Sequence, residues 1–124
     1  MPIEVVTSGS RRPLHNSLVG MRSALTLTKG INDVVMPSHP TNEIMHILTE
    51  NGYTLSAIRN KLGEGGFGGT YGAESGLFEI SVWMTGDQSA KYVTQEVILD
   101  AYESTMGWIS ADEIVQYARM LAAL

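Results

Sequence analysis

Residues 63–84 decide the fold, with the sequence GEGGFGGTYGAESGLFEISVWM. Seven of the first fourteen residues in this stretch are glycine, out of thirteen in the whole chain. Glycine is entropically costly to order and adds no side chain to a core, so this density predicts either a function or a severe backbone constraint. In residues 77–84, apolar side chains then alternate with others, which predicts a strand with one buried face. That face would carry Phe78, Ile80, Val82 and Met84.

The segments before this stretch are less regular. Residues 17–28 fit a helical stripe and an alternating strand, and the threonines with the central glycine favour the strand. Capping side chains before residue 42 and Asn51-Gly52 at the far end predict a helix over residues 41–51. Residues 53–62 also fit both periods, but because they lead into the glycine loop we interpret them as a strand.

After the glycine-dense stretch, residues 85–88 form a predicted turn and residues 89–104 a predicted helix. A short extended segment, residues 107–109, precedes Ser110–Glu113, a capping box that begins a last helix. The order is strand, helix, strand, strand, helix, short strand, helix. This order predicts an α+β fold of ferredoxin-like β-α-β-β-α-β plan, with an antiparallel sheet, helices on one face and an added C-terminal helix.

The chain length of 124 residues predicts one domain. Residues 1–13 end in a Ser-Gly-Ser-Arg-Arg-Pro run and are interpreted as a flexible arm, which leaves residues 14–124 as the domain. No apolar run approaches the roughly 18 residues that span a bilayer, and the opening segment lacks the pattern of a signal peptide. We therefore expect no membrane association and a cytoplasmic location.

Composition excludes several classes of function. There is no cysteine, which removes disulfides, thiolate metal sites and a cysteine nucleophile. The three histidines, His15, His39 and His46, do not stand at a metal-binding spacing, so no metal is expected. The net charge is −5 and only three lysines are present, which disfavours nucleic acid as a partner.

Aromatic and acidic residues cluster on and around the glycine-dense stretch. They are Tyr53, Glu64, Phe67, Tyr71, Glu74 and Phe78. Aromatic faces with carboxylates and accessible backbone amides suit a cationic or purine-bearing small molecule. A twisted hairpin with glycines at bulges and aromatic residues in the core explains the same pattern without a ligand. Composition alone does not choose between these two interpretations.

The order and spacing of elements over residues 18–110 resemble the small phage-encoded S-adenosylmethionine lyases, long described as S-adenosylmethionine hydrolases. The likeness starts with a first strand at Val19–Leu27 and a helix ending at Gly52-Tyr53. It continues with a glycine-containing strand that ends in Gly69-Thr-Tyr71 and has Glu74 after it. A β-branched strand then leads through Asp87 into a helix that ends in Ala101-Tyr-Glu103. Because the linker from Tyr71 to Glu74 is short for this pattern, Glu64 competes with Glu74 for the catalytic position.

The resemblance implies that the carboxylate of S-adenosylmethionine attacks its own γ-carbon, which releases 5′-methylthioadenosine and homoserine lactone. A sulfonium is a good leaving group and the nucleophile is internal, so neither a cofactor nor a metal is expected. By the same resemblance, Glu74 or Glu64 holds the substrate cation and Tyr71 or Tyr53 orients it. The residues expected to contact the substrate are Gly66, Phe67, Gly68 and Phe78.

The resemblance also implies a PII-like homotrimer with its active site at the subunit interface, acting in the host cytoplasm if the chain is phage-encoded. A 124-residue sandwich has little volume to enclose such a ligand by itself, which agrees with a shared site. One alternative is a PII-like protein that binds or sequesters an adenine nucleotide without turnover. Another is an acidic protein-binding module, such as a phage inhibitor of host defence.

Overall fold

The structure is a computed structural model that describes residues 2–4, 16–87, 89 and 91–124. Its helices and strands, in chain order, are α1 Leu18–Thr26, β1 Ile31–Val35, β2 Asn42–Thr49, β3 Tyr53–Asn60, β4 Phe78–Met84, α2 Thr94–Val97, β5 Met106–Ile109 and α3 Ala111–Ala122. Two short 3-10 turns, Gly66–Gly68 and Ala73–Ser75, lie between β3 and β4.

The five strands form one sheet in the order β1-β2-β3-β4-β5, and each strand is antiparallel to its neighbours. The inward-facing apolar residues in the middle of the central strands form one core with apolar residues of α1, α2 and α3. Buried inward-facing residues include Met45, Ile47, Leu55, Ala57, Ile80 and Val82. The predicted α+β class, with an antiparallel sheet, helices on one face and a C-terminal helix, is therefore confirmed.

The C-terminal helix begins at the predicted capping box. The Ser110 hydroxyl accepts a hydrogen bond from the Glu113 amide at 3.2 Å, and the Glu113 carboxylate accepts one from the Ser110 amide at 3.1 Å. These reciprocal bonds satisfy amide groups that the first turn of a helix leaves free. The apolar stripe of this helix, Ile114, Tyr117, Ala118 and Leu121, is buried against the sheet.

Leu18–Thr26 form helix α1, so the strand predicted over residues 17–28 is wrong. Ser17 caps α1, since its hydroxyl accepts a hydrogen bond from the Gly20 amide at 3.1 Å. Met21 and Leu25, four residues apart, are fully buried in the core. The helical stripe therefore outweighs the strand preference of the threonines, which lie on the exposed side or at the helix end.

The predicted helix over residues 41–51 is also wrong, because this segment is strand β2. Its residues 44, 47 and 48 mimic helical spacing since apolar side chains occupy both faces of the strand. The expected cap is instead a turn in which His39 Nδ1 accepts hydrogen bonds from the Thr41 and Asn42 amides at 3.2 and 3.1 Å. Asn51-Gly52, interpreted as a helix stop, forms the hairpin turn between β2 and β3.

Within residues 89–104, helix is confined to Thr94–Val97, so the long predicted helix is wrong. Thr94 is fully buried, and its hydroxyl accepts a bond from the Val82 amide at 2.9 Å and donates one to the Ser104 carbonyl at 2.6 Å. These bonds fold the segment around Thr94. The strands predicted over 53–62, 77–84 and 107–109 are confirmed, but the order of elements differs from the predicted β-α-β-β-α-β order.

In the predicted N-terminal arm, Ile3 is buried and forms a parallel bridge with Ile98. The arm's residue 1 and residues 5–13 lie outside the described residues. In the part of the chain that is described, no helix has the length and apolar character needed to cross a membrane.

The sheet face opposite the helices is partly covered by its own large side chains. The register places His46 beside Ser56 and Trp83 beside Thr54, all on this outer face. The His46 and Trp83 rings meet edge to face, with centroids 5.1 Å apart, and Ser56 and Thr54 are buried. The Trp83 ring is in turn 6.0 Å from that of Tyr92.

Stability is expected to fall as the pH drops below about 6.5, and His46 is expected to be one cause. Burial lowers the pKa of His46, so below the ordinary value of 6.5 the unfolded chain binds more protons at this residue than the folded chain. Urea midpoints at pH 7.5 and 5.5 should therefore differ less for His46→Gln than for the wild type. Equal pH dependence in the two proteins would contradict this role.

Candidate functional site

The glycine-dense stretch is a compact loop tied to the end of β3. Asn60 Oδ1 accepts hydrogen bonds from the Leu62 and Glu64 amides at 2.9 and 3.1 Å. The Thr70 hydroxyl accepts one from the Asn60 amide at 2.9 Å, and the Thr70 amide donates to the Glu64 carbonyl at 3.0 Å. Because Asn60 and Thr70 are both buried, these bonds fix the loop at both of its ends.

Several residues predicted as site residues lie on this loop, where two of them share a depression of about 350 Å³. Glu64 and Gly68 line it, together with Asn42, Asn60 and Lys61. Gly66 and Phe67 belong to the adjoining 3-10 turn, and the Phe67 side chain is fully exposed. Glu74 is exposed, and its carboxylate lies against the backbone of Gly65.

Tyr53 and Phe78 do not join the other predicted residues. Tyr53 begins β3, whereas the loop follows the last residue of that strand, so about 23 Å of extended chain separates them. Phe78 is fully buried in the core, and the Arg59 guanidinium lies 4.3 Å from the centre of its ring. In the structure, these two aromatic residues support the fold.

Tyr71 lies in a second depression, also about 350 Å³, at the β4–β5 edge of the sheet. We call it the aromatic–acidic pocket, and its walls include Tyr71, Tyr102, Trp108, Glu79 and Glu103. The Tyr71 and Trp108 rings are 5.1 Å apart and tilted by 39°. Tyr71, Trp108 and Tyr102 are 44%, 50% and 59% exposed, so all three are accessible to a ligand.

The pocket is assembled by two chain segments that meet beside β4. Trp108 lies in β5, and its amide donates a hydrogen bond to the Tyr71 carbonyl at 3.2 Å. Glu79 points to the outer face of β4, and its Oε2 accepts a hydrogen bond from the Tyr71 amide at 2.6 Å. Tyr102 and Glu103 come from the loop before β5.

The charge of the pocket is negative. Among the described residues, its lining contains Glu79 and Glu103 but no lysine or arginine. Where the chain is described, the two salt bridges are Arg59–Glu43 and Lys91–Glu96, and neither includes a pocket carboxylate. Aromatic faces attract cations through their quadrupoles, and a carboxylate adds direct Coulomb attraction. The arrangement is therefore suited to an organic cation.

Sequence reasoning placed Tyr71 in the site but did not propose Glu79 or Trp108 for it. In the sequence, Glu79 lies on the predicted strand opposite the apolar face, and Trp108 lies in the short extended segment of residues 107–109. A large aromatic residue directly after Gly107, in so short a strand, was the available signal. Tyr102 and Glu103 entered only through the resemblance, as the end of a helix that the structure does not contain.

Comparisons with protein-family models, with curated proteins and with solved structures gave no match for this chain.

Proposed function

We propose that the chain binds an organic cation in the aromatic–acidic pocket, and that this cation is S-adenosylmethionine, the ligand implied by the resemblance. The observation that supports binding is the set of three accessible rings beside two carboxylates, with no lysine or arginine among the lining residues that the structure describes. Each cation–π contact contributes about 0.5–2 kcal/mol, depending on desolvation. The volume of about 350 Å³ lies at the lower end of the range for small-molecule sites.

The proposed reaction is intramolecular cleavage. The carboxylate oxygen of S-adenosylmethionine forms a bond to its γ-carbon as the γ-carbon–sulfur bond breaks, and the bonding electron pair leaves with sulfur. The products are homoserine lactone and 5′-methylthioadenosine, and no protein nucleophile is needed. The rings of Tyr71 and Trp108 would hold the sulfonium, while Glu79 and Glu103 would hold the ammonium group. Glu64 and Glu74, the other predicted carboxylates, lie outside this pocket.

Assembly into a homotrimer is part of the proposal. Glu79 lies at the border between the pocket and the outer face of the sheet, where Val35 and Tyr92 are 42% and 46% exposed. A second copy seated on this face would therefore lie next to Glu79 and the pocket. Light scattering should give three times the mass of the 13.5 kDa chain, and a monomer would contradict this part of the proposal.

Binding is tested by calorimetric titration of the protein with S-adenosylmethionine and with S-adenosylhomocysteine, which lacks the positive charge on sulfur. The sulfonium form is expected to bind about tenfold more tightly. Tyr102→Ala and Glu103→Gln should each weaken its binding by about tenfold, since each removes one wall or one charge of the pocket. The exposed residue Glu96 provides the control Glu96→Gln, which should bind as the wild type does.

Turnover is tested on the same samples by mass spectrometry. Formation of methylthioadenosine and homoserine lactone by the wild type, and slower formation by Tyr102→Ala, would support lyase activity. Binding with intact ligand would replace the lyase by a non-enzymatic sensor or sequestering protein. Equal affinity for both ligands, or no binding, would contradict cation recognition.

A further inference from the structure

Trp108 has a backbone conformation that is unusual for its side chain. Its φ is +58°, in the left-handed region, and within the described residues Asn16 is the other non-glycine residue with positive φ. Asparagine tolerates this region because its short side chain bonds locally, whereas a bulky aromatic residue is strained there. Tryptophan at this position therefore requires an explanation.

The register of β4 and β5 shows why the backbone adopts this conformation. Phe78 pairs with Ile109 and Ile80 pairs with Met106, so Gly107 and Trp108 together face the single residue Glu79. Two residues opposite one is a β-bulge, a feature that bends a strand and redirects a side chain. Glycine is the usual occupant of the left-handed position in one common bulge type. Trp108 stands where glycine would fit without strain.

Two glycines permit the close approach of the segments on either side. A Cβ atom on Gly72 would lie 2.9 Å from the Trp108 Cα atom, and one on Gly107 would lie 2.6 Å from the Tyr71 Cβ atom. Any larger residue at either position would push Tyr71 and Trp108 apart. The bulge residues Gly107 and Trp108 therefore pack tightly against Tyr71 and Gly72. The hydrogen bond from the Trp108 amide to the Tyr71 carbonyl joins the two segments.

We propose that Trp108 is kept in a strained bulge position because this conformation directs its indole toward Tyr71 and builds the cation-binding wall. Gly72 and Gly107 are then positioning residues of the pocket. The strain itself is independent of any ligand, while the purpose assigned to it rests on the proposed function. The residue at position 108 is expected to have opposite effects on stability and on binding.

The stability part is tested by urea unfolding of Trp108→Gly and Trp108→Ala. Elsewhere in a strand, alanine is more stable than glycine, but at a left-handed position the order is reversed. The urea midpoint of Trp108→Gly should therefore lie above that of Trp108→Ala. A urea midpoint of Trp108→Gly at or below that of Trp108→Ala would show that the backbone at residue 108 is not strained and would overturn this part of the proposal. The comparison needs no ligand. Because both variants lack the indole, its contribution to stability does not affect the difference between their midpoints.

The binding part is tested with tetramethylammonium chloride, a cation without adenine, followed by amide and indole shifts in NMR spectra. Saturable shifts at Tyr71 and Trp108 are expected in the wild type. Trp108→Gly and Gly107→Ala should weaken binding at least fivefold, while Trp108→Phe should largely restore it. Wild-type affinity for tetramethylammonium in Trp108→Gly, or no saturable shift in the wild type, would contradict the proposal that Trp108 and Tyr71 bind a cation. Tetramethylammonium binding without S-adenosylmethionine binding would overturn only the ligand assigned under the proposed function.

Discussion

Replacing Arg59 by methionine is expected to lower the free energy of unfolding by about 3 kcal/mol, because the change leaves the partly buried Glu43 carboxylate and two backbone carbonyls without their hydrogen-bond donor. The Arg59 side chain is only 17% exposed, and its Nε and Nη2 atoms each lie 2.8 Å from Glu43 Oε2. Its Nη1 donates to the carbonyls of Asn16 and Gly76 at 2.9 and 2.8 Å, and its guanidinium lies over the Phe78 ring. One side chain thus ties together β2, the start of α1, the loop before β4 and the core.

Urea unfolding with matched variants separates this role from a general charge effect. Arg22 is exposed on α1, and Arg22→Met should change stability by no more than about 0.5 kcal/mol. Glu43→Leu combined with Arg59→Met removes the carboxylate left without its partner, so the double variant should be less destabilised than the sum of the single variants by about 1 kcal/mol. Strictly additive changes in the free energy of unfolding would contradict a stabilising interaction between Arg59 and Glu43. A change for Arg59→Met as small as that for Arg22→Met would contradict the role of Arg59 in joining these segments.

The elements that were predicted correctly are those with strong local signals. α3 has a complete capping box and a regular apolar stripe, and both are present in the structure. β4 alternates because its inner face meets the core, although Met84 at its end is 37% exposed. Such signals depend on neighbours in sequence, so they can be interpreted without knowing the tertiary packing.

The wrong predictions arose where tertiary contacts decide the conformation. β2 lies between two strands and is apolar on both faces, so its sequence lacks the alternation of a half-exposed strand. Around Thr94, the partners that bend the chain are the Val82 amide and the Ser104 carbonyl. Each partner is at least ten residues away, and propensity over a local window does not include such contacts.

The sequence predicts the kinds of side chain in the candidate site better than it predicts which residues supply them. Aromatic rings with carboxylates were expected beside the glycine-dense stretch, and Tyr71 lies in a pocket of that kind. Its partners Glu79 and Trp108 are brought to it by a β-bulge, which depends on the register between β4 and β5. Register is a property of paired strands, so the sequence of one segment does not predict it.

The glycines of the loop are expected to differ sharply in their tolerance of alanine, with Gly69→Ala the most destabilising by about 2–3 kcal/mol, as for overpacking of a tight site. A Cβ atom on Gly69 would overlap the Glu64 carbonyl, which accepts the Thr70 amide. That carbonyl would have to move, and the hydrogen bonds through which Asn60 and Thr70 anchor the loop would weaken.

Gly68 and Gly66 provide controls within the same turn. No atom of the described residues lies within 4 Å of a Cβ on Gly68, and the φ of Gly68 is not positive, so Gly68→Ala should change stability by no more than about 0.5 kcal/mol. Gly66 has equal space but a φ of +67°, so Gly66→Ala should cost about 1–2 kcal/mol. The order of urea midpoints, Gly68→Ala above Gly66→Ala above Gly69→Ala, would show that backbone geometry requires only some of these glycines. Equal urea midpoints for all three variants would mean that the close approach of Gly69 to the Glu64 carbonyl does not affect stability. The hydrogen bonds that Asn60 and Thr70 make in this loop would then not contribute to the free energy of unfolding.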